Sequence, residues 1–180
     1  METKHFFVDT EFTSLQEPNE LISIAVVCED KKEYYAVNRE WDEPEGRGEQ
    51  ISTNFVKEIV IPFLGMDRSK RKTFSEIAKE IEKFVGTAQP IFWADYPKYD
   101  QMMFLKIWEE AGLKFPQTWP PVFENLNELA GRCTTDVIIE APPDFTSHNA
   151  LDDAKILLQA WDEFLKQTWL DEQELFQKDI

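Results

Sequence analysis

Phe6-Phe7-Val8-Asp9-Thr10-Glu11-Phe12 is the stretch around which the fold is predicted to form. Aromatic and β-branched residues between polar ends predict a β-strand. Because alternate residues of a strand share a face, Phe7, Asp9 and Glu11 point the same way. Two adjacent carboxylates without a counterion repel each other, and a divalent cation, which prefers carboxylate oxygens, removes that conflict. The alternative is a strand end that carries two solvated acids.

The composition of the chain predicts one folded domain over residues 1–180. Hydrophobic residues make up 42% of the chain and aromatic residues 13%, which is enough to fill a core and excludes a disordered chain. No apolar run approaches ~18–20 residues, and no basic region precedes an apolar one at the N-terminus. We therefore expect neither a membrane-spanning helix nor a signal peptide. Cys28 and Cys133 lack a CxxC partner, and we expect two reduced thiols in a cytoplasmic protein.

The net charge of −16 argues against a protein that coats nucleic acid by bulk electrostatics. It does not exclude an enzyme that holds one strand end through metal ions. One basic run interrupts the acidic sequence, at Arg68, Lys70, Arg71 and Lys72. Such a run is either a solvated surface or a contact for phosphates that enter a site.

The order of the predicted elements indicates a mixed α/β fold. Apolar runs joined by short links predict three strands of an antiparallel meander, over residues 6–12, 21–28 and 33–38. Helical periodicity and caps then predict alternating elements: helix 74–85, strand 90–94, and helices 97–111, 124–132 and 150–166. Thr73 and Glu76 have the spacing of a capping box, and Gly86 is a typical residue to end a helix. Residues 39–50 are predicted to be an acidic loop, and residues 51–64 a short helix and a turn.

Asp100 lies on the apolar face of the helix predicted over 97–111. Counting back by three and four residues from Met103 and Phe104 places it on their stripe. An acid that points into a core needs a partner, or it loses its charge. The alternative, an exposed acid in the first turn, conflicts with that stripe. Asp95 is predicted to cap the same helix.

A third candidate segment is Ser147-His148-Asn149-Ala150-Leu151-Asp152-Asp153-Ala154. Its capping spacing places His148 on the loop before a helix and Asp153 in the first turn of that helix. We expect Asp153 to face the edge of the core and Asp152 to be the surface member of the pair. A lone histidine at a helix start is more often structural than catalytic. His5 is the only other histidine of the sequence and is predicted to lie on the surface.

These segments together resemble the three motifs of the DEDDh 3′–5′ exonucleases. Asp9-Thr10-Glu11, Tyr99-Asp100 and the segment from His148 to Ala154 match in order and in the H-x4-D spacing. Residues 9–12, 20–24 and 33–37 look most like the bacterial exoribonuclease AS type, which trims RNA 3′ ends with a bias toward adenylate. The chain departs from the common pattern at Phe12, where many members have a small hydroxyl residue, and it lacks the usual His-Asn before the second motif.

The resemblance implies a ribonuclease-H-like α/β fold, with three antiparallel strands plus parallel strands in one sheet and helices on its faces. It implies two bound divalent ions, Mg²⁺ or Mn²⁺, held by four acids: Asp9, Glu11, Asp100 and Asp153. It also implies that His148 is the general base for attack of water on the last phosphodiester at the 3′ end of single-stranded RNA, which releases nucleoside 5′-monophosphates. Thr10 and Phe12 would contact the substrate, although Phe12 is equally compatible with a core position. A homodimer is expected, and no membrane partner.

Three other functions are compatible with the sequence. A DNA exonuclease or an oligonucleotide-trimming enzyme would be separated from an exoribonuclease by its indifference to the 2′-hydroxyl. A catalytically silent binding module on the same fold predicts a missing acid or histidine, whereas all five residues are present. A metal-dependent hydrolase of small nucleotides would prefer mononucleotides to oligomers.

Overall fold

A mixed five-stranded sheet forms the centre of the computed structural model, which describes residues 2–42, 52–64, 67–132 and 145–178. The strands are β1 (Thr3–Phe12), β2 (Leu21–Cys28), β3 (Glu33–Val37), β4 (Gln89–Ala94) and β5 (Glu124–Asn125). Their order across the sheet is β3-β2-β1-β4-β5. The first three strands pair antiparallel, whereas β4 runs parallel to β1 and β5 parallel to β4. The predicted mixed sheet is therefore confirmed.

Four helices of the described chain accompany the sheet: α1 (Phe74–Val85), α2 (Pro97–Glu110), α3 (Leu126–Arg132) and α4 (Ala150–Lys178). Helix α1 begins at the predicted capping box, in which the Thr73 hydroxyl accepts from the Glu76 N–H at 3.3 Å and the Glu76 carboxylate accepts from the Thr73 N–H at 2.8 Å. It ends at Gly86, whose φ of +64° is a left-handed value that glycine adopts without strain. Between β3 and α1, one helical turn spans Val56–Val60, and a tighter one spans Ile61–Phe63.

Two predicted helix boundaries are wrong. Helix α3 begins at Leu126 because residues 124–125 extend the sheet beside β4. Helix α4 continues past residue 166 to Lys178.

The helices bury the two faces of the sheet in separate clusters. Phe6 and Val8 of β1 pack with α1 and α2, whereas Phe7 packs on the opposite face with α4 through Trp161. This alternation follows from the two-residue period of a strand. All eight residues of β2 are buried, as its almost continuous apolar run predicts for a strand covered on both faces.

Strand β1 continues beyond its pairing with β4. The last residue pair of β1 with β4 is Phe7 with Trp93, whereas the pairing with β2 continues to Phe12. The end of β1 therefore has strand neighbours on one side only. Its other margin faces the N-terminus of α2, and this geometry brings the first helical turn of α2 against the Asp-Thr-Glu stretch.

The predicted surface position of His5 is wrong. Its ring lies 4.6 Å from the ring of Trp161 between centroids, and its Nδ1 accepts a hydrogen bond of 2.8 Å from Trp93 Nε1. Strand periodicity explains the position, because His5 shares the α4-facing side of β1 with Phe7. Burial lowers the pKa of His5, which favours the neutral ring that accepts this bond.

Some predictions fall outside the described residues. Cys133 and residues 43–50 of the predicted acidic loop lie outside the described residues, whereas Cys28 is a buried free thiol. Among the described helices, none combines the length and the apolar character that a membrane span requires.

Candidate active site

A cavity of about 1110 Å³ opens where the end of β1 meets the N-termini of α2 and α4. Its volume is slightly above the ~300–1,000 Å³ that is usual for ligand sites. All seven predicted site residues line it: Asp9, Thr10, Glu11, Phe12, Asp100, His148 and Asp153. The structure therefore brings together residues from three segments that are far apart in the sequence.

Three carboxylates form the centre of the cavity. Asp9 and Glu11 alternate along β1 toward the α4 side of the sheet, and Asp153 lies in the first turn of α4. One carboxylate oxygen of each lies within 4.8 Å of one oxygen of both others. Oxygen atoms at this spacing form a donor set suited to a hard divalent cation.

Asp100 approaches the same centre from the opposite margin of β1. Its Oδ1 accepts from the backbone N–H of Thr10 at 2.9 Å and from the Thr10 hydroxyl at 2.7 Å. This N–H lies beyond the pairing of β1 with β4, so the carboxylate substitutes for a strand partner. Both Asp100 and Thr10 are buried, as the apolar stripe of the helix predicts for the acid.

Mutual burial makes the charged forms of these acids unfavourable. Burial, followed by the charges of Asp100, Glu11 and Asp153, raises the pKa of Asp9 well above its usual range. Burial and then Asp153 and Asp100 raise the pKa of Glu11 to about 8. Burial raises the pKa of Asp100 to about 7, although the two hydrogen bonds from Thr10 lower it. Burial also raises the pKa of Asp153.

The donor set of the cavity fits a divalent cation. Within the described part of the chain, the cavity lining contains no lysine or arginine that could neutralise the acids. Repulsion among buried carboxylates is relieved either by proton uptake or by a bound cation. The residues present therefore match the chemistry that a metal ion of the Mg²⁺ type requires.

His148 lies at the rim of the cavity, on the turn before α4. It is exposed and adopts a φ of +64°, and its ring meets the Phe55 ring edge-on at a centroid distance of 4.8 Å. Asn149 caps the start of α4, because its Oδ1 accepts from the Leu151 N–H at 3.1 Å, and this bond stabilises the turn that carries His148. A hydrogen bond from the His148 backbone N–H also holds the Asp153 carboxylate.

Asp152, the neighbour of Asp153, has a structural role. Its Oδ2 accepts a hydrogen bond of 3.2 Å from the Thr146 N–H. This bond connects the segment that precedes α4 to the first turn of the helix. The prediction that Asp153 is the inward member of the pair agrees with its place in the carboxylate cluster.

The remaining cavity wall is mainly apolar and aromatic. Phe12 stacks on Tyr99 with ring centroids 6.0 Å apart and an interplanar angle of 26°. Leu15, Phe55 and Tyr96 line the cavity although their side chains are 64%, 50% and 70% exposed. Sequence reasoning did not identify these three residues, because irregular spacing and turn-forming neighbours gave no periodic signal.

The predicted helix-capping role of Asp95 is wrong. Tyr96 occupies the cap position of α2 without a side-chain hydrogen bond, and Pro97 begins the helix. The Tyr99 N–H of the first turn donates to the Tyr96 backbone carbonyl at 3.0 Å, so this donor is satisfied without an Asp95 side chain. Its Oδ1 instead accepts a hydrogen bond from Asn127 Nδ2, and its side chain lines the cavity.

Residues of the basic run at 68–72 contact other residues of the protein. Lys70 forms an ion pair of 3.6 Å with Asp67, and Lys72 pairs with Glu80. The Arg71 guanidinium lies 5.6 Å from the centroid of the Trp41 ring. Neither these side chains nor Arg68 line the cavity, so the solvated-surface alternative describes the run better than a phosphate contact at this site.

Comparisons with known proteins agree with this geometry. Residues 4–165 match the family model described as the 3′–5′ exoribonuclease Rv2179c-like domain. The 3′–5′ exoribonuclease Rv2179c of Mycobacterium tuberculosis is 34% identical over 127 residues, which cover 69% of this chain and 72% of the relative.

Solved structures with this fold include nucleases. The nuclease domain of 3′hExo, a DEDDh family member bound to rAMP, has a TM-score of 0.59 at 16% identity, covering 92% of this chain and 93% of that one. Zinc-bound E. coli ExoI in complex with single-stranded DNA has a TM-score of 0.65 at 12% identity, covering 93% of this chain and 41% of that one. The fold is accordingly of the ribonuclease-H-like type.

Proposed function

The chain belongs to the Rv2179c-like family of 3′–5′ exoribonucleases, and we propose that it removes nucleotides stepwise from the 3′ end of single-stranded RNA. The observation that carries this proposal is the convergence of three carboxylates, Asp100 and a rim histidine on one cavity. Hydrolysis at the last phosphodiester releases a nucleoside 5′-monophosphate and leaves a shortened strand with a new 3′-hydroxyl.

The proposed cofactors are two divalent ions, Mg²⁺ or Mn²⁺. Asp9, Glu11 and Asp153 would hold them together with Asp100, whose Oδ2 makes no hydrogen bond with Thr10. When bound, such ions act as Lewis acids at the phosphodiester and balance the charge of the acids. The contribution of Thr10 in this proposal is to fix the orientation of Asp100, because its hydroxyl and its N–H both donate to one carboxylate oxygen.

His148 is the proposed general base. Its ring takes the proton of the attacking water, a role for which histidine is suited near neutral pH. Two observations support this role. The side chain is exposed to solvent at the cavity rim, and the adjoining backbone N–H holds Asp153. The edge-on contact with Phe55 limits the directions that the ring can adopt.

Stacking is the proposed means of holding the substrate. The cavity offers the Phe12–Tyr99 pair and the exposed ring of Phe55 to nucleobases. Base–aromatic stacking is typically worth ~1–3 kcal/mol per base, and a net charge of −16 leaves little bulk electrostatic attraction for RNA. A preference for adenylate is part of the proposal, because a purine offers the larger stacking surface.

The domain organisation, the oligomeric state and the cellular location of the enzyme are also part of the proposal. We propose one nuclease domain over residues 1–180 and a homodimer, which the family resemblance supports. A cytoplasmic location, without a membrane partner, is supported by the buried free thiol of Cys28. Light scattering after size-exclusion chromatography measures the subunit number directly.

The test of the activity uses a 5′-labelled RNA oligomer with an adenylated 3′ end and the matching DNA. Each is incubated with Mg²⁺ or Mn²⁺, with and without EDTA. We expect a ladder of stepwise shortened RNA that EDTA abolishes. Equal digestion of DNA would indicate a general exonuclease. A competition with added mononucleotides, in which these are hydrolysed in preference to the oligomer, would indicate a small-nucleotide hydrolase. No digestion despite bound metal would indicate a silent binding module.

A further inference from the structure

Asp95 is a further acid of the cavity that is not part of the three-carboxylate cluster. It follows directly after β4 and faces the site from the α2 side. Its negative charge contributes to the raised pKa values of Asp9 and Asp100, which places it near them. The roles assigned above to the other acids leave Asp95 without a function.

Two asparagines of the β5–α3 segment fix the orientation of Asp95. Asn127 Nδ2 donates to Asp95 Oδ1, and Asn125 Nδ2 donates to the backbone carbonyl of Asp95 at 3.4 Å. β5 pairs with β4 through Ala94 and Asn125, so the sheet itself determines this arrangement. The Asp95 side chain is half-buried, with one oxygen engaged by Asn127.

The chemistry of RNA limits what such a carboxylate can contact. Phosphate oxygens are anionic acceptors, so an aspartate repels them and cannot receive a hydrogen bond from them. The donors of RNA are its ribose hydroxyls and the N–H groups of its bases. No lysine or arginine lines this part of the described cavity to pair with Asp95. A carboxylate that Asn127 holds at a fixed angle, with no cation beside it in the described lining, is therefore suited to a neutral donor.

We propose that Asp95, oriented by Asn127, accepts a hydrogen bond from a neutral donor of the 3′-terminal nucleotide, either a ribose hydroxyl or the exocyclic amine of the base. The inference rests on the proposed function and adds to it a residue that selects the substrate. A ribose contact would distinguish RNA from DNA, and an amine contact would distinguish adenine from bases that lack this donor.

The test removes the donor and the acceptor separately. The substrates are an RNA oligomer ending in adenosine and three versions of it whose last nucleotide lacks the 2′-hydroxyl, the 3′-hydroxyl or the N6 amine. Each is degraded by the wild type and by Asp95→Ala at saturating metal. We expect Asp95→Ala to lower kcat/KM for the unmodified RNA by about 10-fold to 100-fold, the range of a hydrogen bond to a charged group.

The identity of the donor follows from comparing the wild type with Asp95→Ala on each substrate. On the substrate that lacks the true donor, the wild type and Asp95→Ala should be equally slow, because neither can form the bond. Asn127→Ala should show a smaller loss with the same dependence on the substrate, since it removes only the orienting amide. Glu124→Gln, an exposed acid on β5, is the matched control and should behave as the wild type.

Binding of nucleoside monophosphates separates this inference from the exonuclease proposal. Calorimetry with AMP and its 2′-deoxy, 3′-deoxy and N6-lacking analogues reports the same contact without any hydrolysis. If the wild type fails to degrade RNA, the proposed function fails, and the pattern of AMP binding alone decides the Asp95 contact. An equal effect of Asp95→Ala on all four ligands, a changed metal requirement, or no effect at all would overturn the inference.

Discussion

Glu11→Gln is expected to stabilise the metal-free protein while it damages the candidate active site. The folded environment raises the pKa of Glu11 from 4.5 to about 8, so the charged carboxylate is disfavoured in the folded state. At ~1.4 kcal/mol per pH unit, this difference corresponds to about 5 kcal/mol at most. Partial solvent contact and local relaxation reduce this value, and we expect a gain of about 2 kcal/mol at pH 8.

The raised pKa of Glu11 determines how the stabilisation by Glu11→Gln depends on pH. Between pH 4.5 and 8 the folded protein binds the Glu11 proton more tightly than the unfolded chain does, so the stability of the metal-free wild type falls as pH rises. Glutamine has no such proton to lose. The advantage of Glu11→Gln should therefore be largest at pH 8 and above, and it should disappear toward pH 4.5.

The assay is thermal unfolding in EDTA across this pH range. For a domain of this size, about 2 kcal/mol corresponds to a rise in Tm of about 4–8 °C. Saturating Mg²⁺ or Mn²⁺ should remove the advantage, because the ion stabilises the wild-type acid cluster. Glu124→Gln, an exposed substitution of the same type, should shift Tm only slightly. A Glu11→Gln protein that unfolds at or below the wild-type Tm at pH 8 in EDTA would refute the reasoning.

Substitutions at four further positions test the proposed roles. His148→Ala should lower kcat by about 10²–10⁴-fold, the usual contribution of a general base, and leave metal binding measured by calorimetry intact. Asp9→Ala should lower both kcat and metal binding. Full activity of His148→Ala at neutral pH would contradict the assignment of His148 as the general base. Thr10→Val removes the 2.7 Å bond to Asp100 and should lower kcat about 10-fold or more, while Thr10→Ser, which keeps the hydroxyl, should recover most of it. Phe12→Ala should raise KM for RNA about 5-fold to 100-fold with little change in kcat, and an unchanged KM would assign Phe12 to packing alone.

Strand and helix periodicity predicted the parts of the site that belong to regular elements. The two-residue period of β1 placed Asp9 and Glu11 on one side, and the apolar stripe of α2 placed Asp100 inward; the structure has all three in the cavity. The capping spacing before α4 likewise predicted a loop position for His148 and a first-turn position for Asp153.

Contacts between distant segments were not predictable in the same way. His5 packs against Trp161, which is far away in sequence, and nothing near His5 indicates this partner. Asp95 has the local pattern of a helix cap, but Asn127 engages its side chain from another element. Phe55 lies in a segment of irregular apolar spacing, so its contact with His148 has no local signature.

The Asp100–Thr10 contact constrains how this fold can lose its activity. One carboxylate oxygen satisfies both a strand N–H and a hydroxyl that are buried with it, so an apolar residue at 100 would leave two orphaned donors inside the protein. Such orphans typically cost about 1–3 kcal/mol each. Glu11 and His148 make no comparable bond to the strand margin in the described structure. Inactive descendants of this enzyme that keep their fold are therefore reached more easily through Glu11 or His148 than through Asp100.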